Sequence, residues 1–385
     1  MQLTRKCPLC SSPTGSILHT QPFIIEDDNP LDPHISVVAC DHCHFIFSDS
    51  RSIQKDYNDY YARISSYDNE DVGFGNALHT WDKDRLQEIV NYFFTDKDLN
   101  LNILDIGSSA GGLLQLLEEK GFKNLFGLDP SNRCIDKITS KASSIKAFQG
   151  NLSDDLGLIF GEKKFDLIIL SHVLEHVFDV NSALKNLMKI LNENGLIYVE
   201  VPDSSRYKDF MHAPFHYLSL VHINHFTDLS LKTLLGLHGL KVLQCNKKTF
   251  YISETEQYPA IYGVFGLDQE FQDFSAYIEL SSQSENHEVL NQLINNNVPV
   301  AIWGAGMQTM RLLGDDKFKE LNIRYLVDSD KTKQGRKMGH LFVQSPENLK
   351  DFQGTILISS PSYHQQITQQ IRNAKYTNDV ILLNV

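Results

Sequence analysis

The sequence lacks any long apolar run: stretches such as residues 167–170 fall far short of the ~20 residues that cross a bilayer. It also lacks a dense block of basic residues. With 35 Lys and Arg against 48 Asp and Glu, the formal net charge is −13. A nucleic acid partner demands many cationic contacts, so none is expected, and an anionic membrane surface is excluded on the same ground. No apolar segment follows the basic residues of MQLTRKC, so we expect no secretory leader and a cytoplasmic protein. Cysteine is scarce too, at six in 385 residues, which is no disulfide framework for a chain of this size. The remaining composition, 42% hydrophobic and 22% charged, suits a globular chain of two or three domains.

Four of the six cysteines form two CxxC pairs, Cys7-Pro-Leu-Cys10 and Cys40-Asp-His-Cys43. Each CxxC turn sets two thiolates on one side of a tight knuckle, and two knuckles complete a tetrahedron around Zn²⁺. The 29-residue loop between them costs little, because closure entropy grows only logarithmically. A redox CxxC comes singly after a strand, which neither pair does. We therefore expect a structural zinc module at 1–48. Residues 49–80, rich in Tyr, Ser, Asp and Asn, carry no period; they are a linker or a cover whose tyrosines close over a neighbouring site.

From residue 81 the pattern becomes regular. A helical segment precedes a strand at 101–106, a glycine turn and a helix at 112–120. Strands follow at 124–129, 165–171 and 195–201, with a helix at 181–191. Strands alternating with helices predict an α/β fold with a parallel sheet covered on both faces. Segments 241–245 and 259–265, with no helix between them, are expected to close the sheet as an antiparallel edge. Beyond 267 a polar helical stretch leads to a second α/β unit at 268–385. There a strand at 298–303 meets Gly304-Ala-Gly306, and Asp328 ends the next strand.

The chemistry concentrates at Leu104-Asp105-Ile106-Gly107-Ser108-Ser109-Ala110-Gly111-Gly112, where glycines let the backbone turn at the carboxyl edge of the sheet. An acid, Asp129, ends the next strand ahead of Pro130, spaced to hold a ribose. Gly150-Asn151-Leu152 closes the third strand region. Ser109 stands where the second glycine of a dinucleotide GxG belongs, so a ligand without pyrophosphate fits better.

With these motifs the segment 81–267 resembles the class I S-adenosylmethionine methyltransferases, and Phe165-Asp-Leu-Ile-Ile-Leu-Ser-His-Val-Leu-Glu-His176 looks like their fourth-strand motif. The resemblance implies that Asp105, Gly107, Ser108 and Gly111 line the methionine part of the cofactor. It places Asp129 and Pro130 at the ribose, Asn151 and Leu152 at adenine, and Ser171 and His172 near the sulfonium. The order of parts is similar to the three-domain C-methyltransferases that act on nucleotide-linked keto-deoxysugars, with 327–335 and Ser345-Pro-Glu347 looking like their C-terminal Rossmann-like domain. That implies a nucleotide sugar as partner.

A carbon nucleophile beside a ketone needs a base and a donor for the enolate. His222 matches the His of the family's acceptor loop, with His225 or Tyr217 as donor. Val221 stands where the family has Glu, which keeps O- or N-methylation, and a non-catalytic adenosyl-binding role, open. His172 and His176, four apart with Glu175 between, invite a metal; methyl transfer needs none, so Glu175 and His176 are taken as substrate lining. Gly304 and Gly306 are taken as a contact for the sugar nucleotide, with NAD binding there as the alternative.

Overall fold

A computed structural model describes residues 1–63, 80–93, 99–140, 144–251, 257–283 and 287–383. The rest of the connector, 64–79, lies outside them. The chain divides into two units, Met1–Gln272 and Asp273–Val385.

The first unit opens with strands β1 (Gly15–Pro22), β2 (His34–Cys40) and β3 (Ile46–Asp49), then helices α1 (Gln54–Arg63) and α2 (Thr80–Phe93). There follow β4 (Asn102–Ile106), α3 (Gly112–Glu119), β5 (Asn124–Asp129), α4 (Asn132–Thr139), β6 (Lys146–Gln149), α5 (Leu156–Phe160) and β7 (Phe165–Ser171). The unit continues through α6 (Val180–Met188), β8 (Leu191–Pro202), β9 (Asn224–His225), α7 (Asp228–Gly236), β10 (Leu240–Tyr251) and β11 (Gln257–Leu267). Seven strands form one sheet in the order β10-β11-β8-β7-β4-β5-β6. Its members from β8 to β6 are parallel, and β11 and β10 close it antiparallel. The expected α/β sheet with an antiparallel edge is borne out, and that edge is longer than the apolar periods suggested. The parallel strands read as unbroken apolar runs because both faces are covered; four consecutive residues of β7, from Leu167 to Leu170, are fully buried. Chain order reverses around β4, which opens a crevice beyond the carboxyl ends of β4, β5 and β7.

The cysteine segment shares a core with this sheet. Leu3, Leu9, Val38, Phe45 and Phe47 pack in one buried cluster with Leu104, Phe165 and Phe226. The N-terminal sheet gains its fourth strand from far along the chain: β9 pairs with β3, Ile46 opposite His225 and Phe47 opposite Asn224. No local pattern could reveal that pairing.

The second unit contains α9 (His287–Asn295) after α8 (Gln269–Gln283), in which the division falls. Next come β12 (Val300–Trp303), α10 (Met307–Gly314), α11 (Asp316–Lys319) and β13 (Ile323–Val327). The chain ends with β14 (Lys337–Met338), β15 (Leu341–Gln344), β16 (Thr355–Ile358), α12 (His364–Asn373) and β17 (Val380–Leu382). Its six-stranded sheet runs β14-β15-β13-β12-β16-β17, parallel but for β14.

Gly111 shows how tightly the first glycine turn is built. Its φ is +78°, and a Cβ there would lie 2.8 Å from Ile138 Cγ1 on α4. Gly111→Ala should therefore cost about 1–3 kcal/mol through strain and overpacking, read as a lower urea midpoint; an unchanged midpoint would contradict this packing.

Candidate active site

The crevice is a cavity of about 520 Å³, a size that takes a cofactor and a small acceptor. The loop after β4 forms its floor. Gly107 N–H donates to Leu128 O at 2.8 Å, and its φ of +74° is one that glycine tolerates. The Asp129 carboxylate accepts from the backbone amides of Ser109, at 2.8 Å, and Ser131, at 2.9 Å. One side chain thus ties the β4 loop to the β5 loop, and it lines the cavity with Pro130. Asp105, Gly107, Ser108, Asn151, Leu152, Ser171 and His172 line it as well. Gly111 does not; its place is against α4.

The lining carries acids. Asp105 is almost fully buried, and burial pushes its pKa up to about 8; Arg85 opposes the shift, while Asp82 and Asp129 add to it. Burial likewise pushes Asp82 up to about 6, against the Arg85 guanidinium 2.9 Å away. A cationic ligand group beside Asp105 would favour its ionised form, which burial otherwise opposes. Ser108 Oγ, Ser171 Oγ and Asp82 Oδ2 are buried without a hydrogen-bond partner among the described residues, and all three residues line the cavity. Those orphaned groups fit S-adenosylmethionine, whose amino, carboxylate and ribose groups would satisfy them.

Toward β8 lies a buried ionic network that sequence reasoning missed. Glu200 accepts from Lys248 Nζ at 2.7 Å and Tyr198 OH at 2.8 Å, and stands 3.1 Å from His172 Nε2. Lys248 also holds Glu88, at 2.9 Å. The other nitrogen of His172, Nδ1, lies 3.0 Å from Glu175 Oε1. Burial alone would lower the pKa of His172, but the two carboxylates outweigh it and raise it. His172 thus faces a carboxylate oxygen with each nitrogen, an arrangement that favours the protonated ring. Its φ of +54° is strained for a non-glycine residue, as often found at functional sites.

At the far end, His176, Tyr217 and His222 line the cavity together with Tyr57 and Tyr61 of α1, so the described part of the connector does cover the site. Tyr61 OH is 2.7 Å from His176 Nδ1. The rings of His176 and His222 are 4.8 Å apart. Burial, with His176 beside it, pushes His222 down to about 3, so the ring is unprotonated. Glu175 has no exposed surface and lies behind these rings; a ligand atom from each of Glu175, His176 and His222 falls within 4.8 Å of the others. Glu175 is thus a support for the histidines and does not line the cavity as expected. His225 is not brought there either. It sits in β9, pushed down to about 4 by burial and Arg5, with neither ring nitrogen hydrogen-bonded among the described residues.

The four thiols converge. Cys7 Sγ is 3.6 Å from Cys43 Sγ, and Cys10 Sγ is 3.5 Å from Cys40 Sγ, close to the about 3.8 Å edge of a zinc–thiolate tetrahedron. The two knuckles match in detail. Ser11 N–H donates to Cys7 O and His44 N–H to Cys40 O, and Ser11 and His44 both take φ +59°.

Within the second unit, Gly304 N–H donates to Val327 O, and a Cβ at Gly304 would meet Ser360 Cβ at 3.1 Å. Thr309 Oγ1 bonds Gly304 O and Ser359 Oγ, filling the turn. Asp328 accepts from Ala305 N–H at 2.7 Å and pairs with Lys333 at 2.9 Å, so its carboxylate is engaged within the unit. At Gly306 a Cβ would meet open space.

Residues 78–245 match the family described as methyltransferase domain, and residues 295–382 match one described as C2185-like, N-terminal. A ubiquinone biosynthesis O-methyltransferase of Bartonella tribocorum is 36% identical over 106 residues, 26% of this chain and 40% of that protein. The C-methyltransferase NovU of Streptomyces niveus is 23% identical over 269 residues, 63% of this chain and 60% of that protein. The chain thus spans from two fifths to three fifths of the length of these relatives. The Synechocystis magnesium protoporphyrin IX methyltransferase (ChlM) structure with bound SAH matches 56% of this chain and all of its own, at 14% identity and TM-score 0.44.

Two outcomes follow from the cavity. Asp129→Ala should weaken S-adenosylhomocysteine binding at least about tenfold, because charge-assisted bonds to the ribose are lost with the loop tie; calorimetry giving an unchanged dissociation constant refutes that role. For Asp105, a folded-state pKa near 8 against an ordinary value of 3.8 means that the folded state binds its proton more tightly. Its ionisation therefore destabilises the fold progressively as pH rises from about 4 to 8. Asp105→Asn should raise the urea midpoint at pH 8, with the gain vanishing toward pH 4; a loss at pH 8 contradicts the buried-acid account. Taken with the match over 78–245, this cavity makes those residues an S-adenosylmethionine-dependent methyltransferase domain.

Proposed function

We propose that the protein methylates carbon in a nucleotide-linked keto-deoxysugar, with His222 as the base. The observation that carries this is His222 itself: a neutral imidazole lining the cavity that the adenosyl cradle opens into, with Glu175 buried beside it. When bound, the cofactor supplies a methyl already activated on its sulfonium. Asp129 would hold the ribose, Asn151 and Leu152 the adenine, and Asp105 the amino group, exchanging its proton for an ion pair. His222 takes a proton from the carbon next to the ketone. Glu175 then stabilises the imidazolium, standing in space where Val221 leaves no carboxylate in sequence. Tyr217 OH donates to Phe210 O at 2.6 Å, so it would have to exchange that partner to act as the enolate donor. Among the described lining residues the Arg and Lys side chains reduce to Arg85, already committed to acids, so the sugar head and not its diphosphate would enter. The 269-residue likeness to a C-methyltransferase supports the reading.

The four cysteines would hold a structural Zn²⁺ in a closed thiolate shell; within the second unit, the turn at Gly304 and Gly306 would be a nucleotide contact. O-methylation is the second reading, favoured by Val221 in place of Glu and by the ubiquinone O-methyltransferase relative.

The test is a panel of nucleotide-linked keto sugars and phenols with methyl-labelled S-adenosylmethionine. We expect the label on the carbon beside the ketone, and a rate lowered about 10²–10⁴-fold in His222→Ala with S-adenosylhomocysteine affinity retained. Label on oxygen, or full activity in the variant, overturns the proposal.

A further inference from the structure

The cavity's acceptor end is built on two loops distant in sequence, one after β7 carrying His176 and one before β9 carrying His222. The two meet directly, with His176 Nδ1 2.9 Å from Val221 O, and a third segment braces both.

We propose that Arg5 is a positioning residue for the acceptor site, its guanidinium locking together the two loops that present His176 and His222. The inference rests on the acceptor role given above to His222. Arg5 is 4% exposed. Its Nη1 donates to Ile223 O at 3.2 Å and Ser48 O at 3.4 Å; its Nη2 donates to Phe178 O at 2.5 Å, Val177 O at 3.3 Å and Asn224 Oδ1 at 2.9 Å. Asn224 passes the link on, its Nδ2 donating to Leu174 O and Val177 O at 2.8 Å each. Ile223 N–H completes the seam by donating to Glu175 O at 2.8 Å. The guanidinium also lies over the Phe178 ring, 4.7 Å from its centroid. Only a planar fork of donors meets so many acceptors at once; a lysine ammonium has three donors on one atom.

Arg5 is itself fixed from the other side. Its backbone amide donates to Asp49 Oδ1 at 2.7 Å, the Thr4 amide donates to Asp49 Oδ2 at 3.1 Å, and two residues on stands Cys7. The cysteine segment thereby becomes a splint for the acceptor loops. None of these bonds reaches β4 or the loop that follows it, where Asp105, Gly107 and Ser108 line the cavity.

The 385-residue chain, prepared with zinc supplied, tests this through Arg5→Lys and Arg5→Met. S-adenosylhomocysteine affinity should stay within about threefold of wild type. Amide exchange at Ile223 should accelerate at least tenfold with no change in β4, and the nuclear Overhauser contact between the His176 and His222 rings should disappear. With an acceptor in hand, kcat should fall while KM for S-adenosylmethionine holds. Equal acceleration in β4 and at Ile223 would mean a merely global loss of stability, and unchanged exchange with the ring contact retained would mean no role; either overturns the proposal. If Arg5→Met does not fold, Asn224→Ala removes the relay with the guanidinium intact and carries the same expectations. Exchange and ring contact need no acceptor, so their failure is distinguishable from a failure of the sugar assignment.

Discussion

One carboxylate organises the cofactor end of the protein. Asp129 accepts the amides of Ser109 and Ser131 and so fixes the two loops that leave β4 and β5. These loops sit at the carboxyl edge, where the sheet's chain order reverses and backbone groups face an open crevice. A side chain too short, or uncharged, would leave two buried amides competing for water and would release the bend that Gly107 makes possible. Beside it, burial raises the pKa of Asp105 and of Asp82.

The cofactor end was largely legible in sequence because its determinants are local. The glycine run, the acid ending β5 and the apolar run of β7 each lie within a few residues of what they do. Even so, Gly111 looked like ligand lining and is a packing residue against Ile138; a glycine motif does not say whether the missing Cβ makes way for a ligand or for a neighbouring helix. The acceptor end was less legible. Glu175 follows a buried strand in a motif that suggested lining, yet its carboxylate lies behind the histidines. The ties between Glu200, Lys248 and His172 join β8, β10 and the end of β7, and no periodicity encodes them. His225 reads like an active-site donor in the string His-Ile-Asn-His, but the pairing of β9 with β3 draws it into the N-terminal sheet.

The two ends differ in how they achieve polarity inside a protein. Around His172, charge is favoured by pairing: the ring stands between two buried carboxylates that raise its pKa, one of them held in turn by Lys248. Around His222, charge is refused: burial and neighbouring histidines keep the ring neutral until a proton is offered. Two imidazoles in one cavity thus have pKa values shifted in opposite directions because of what is packed behind them. The cysteine segment belongs to this scheme as support, since its core is continuous with the sheet.

The central claim is that the bend after Asp105 and the acid at 129 form a cradle for an adenosyl sulfonium. A co-crystal with S-adenosylhomocysteine tests it most directly. The account predicts both ribose hydroxyls on the Asp129 carboxylate and the thioether sulfur beside Ser171 and His172. An adenosyl group found elsewhere, or a pyrophosphate seated on the Gly107 turn, would contradict it.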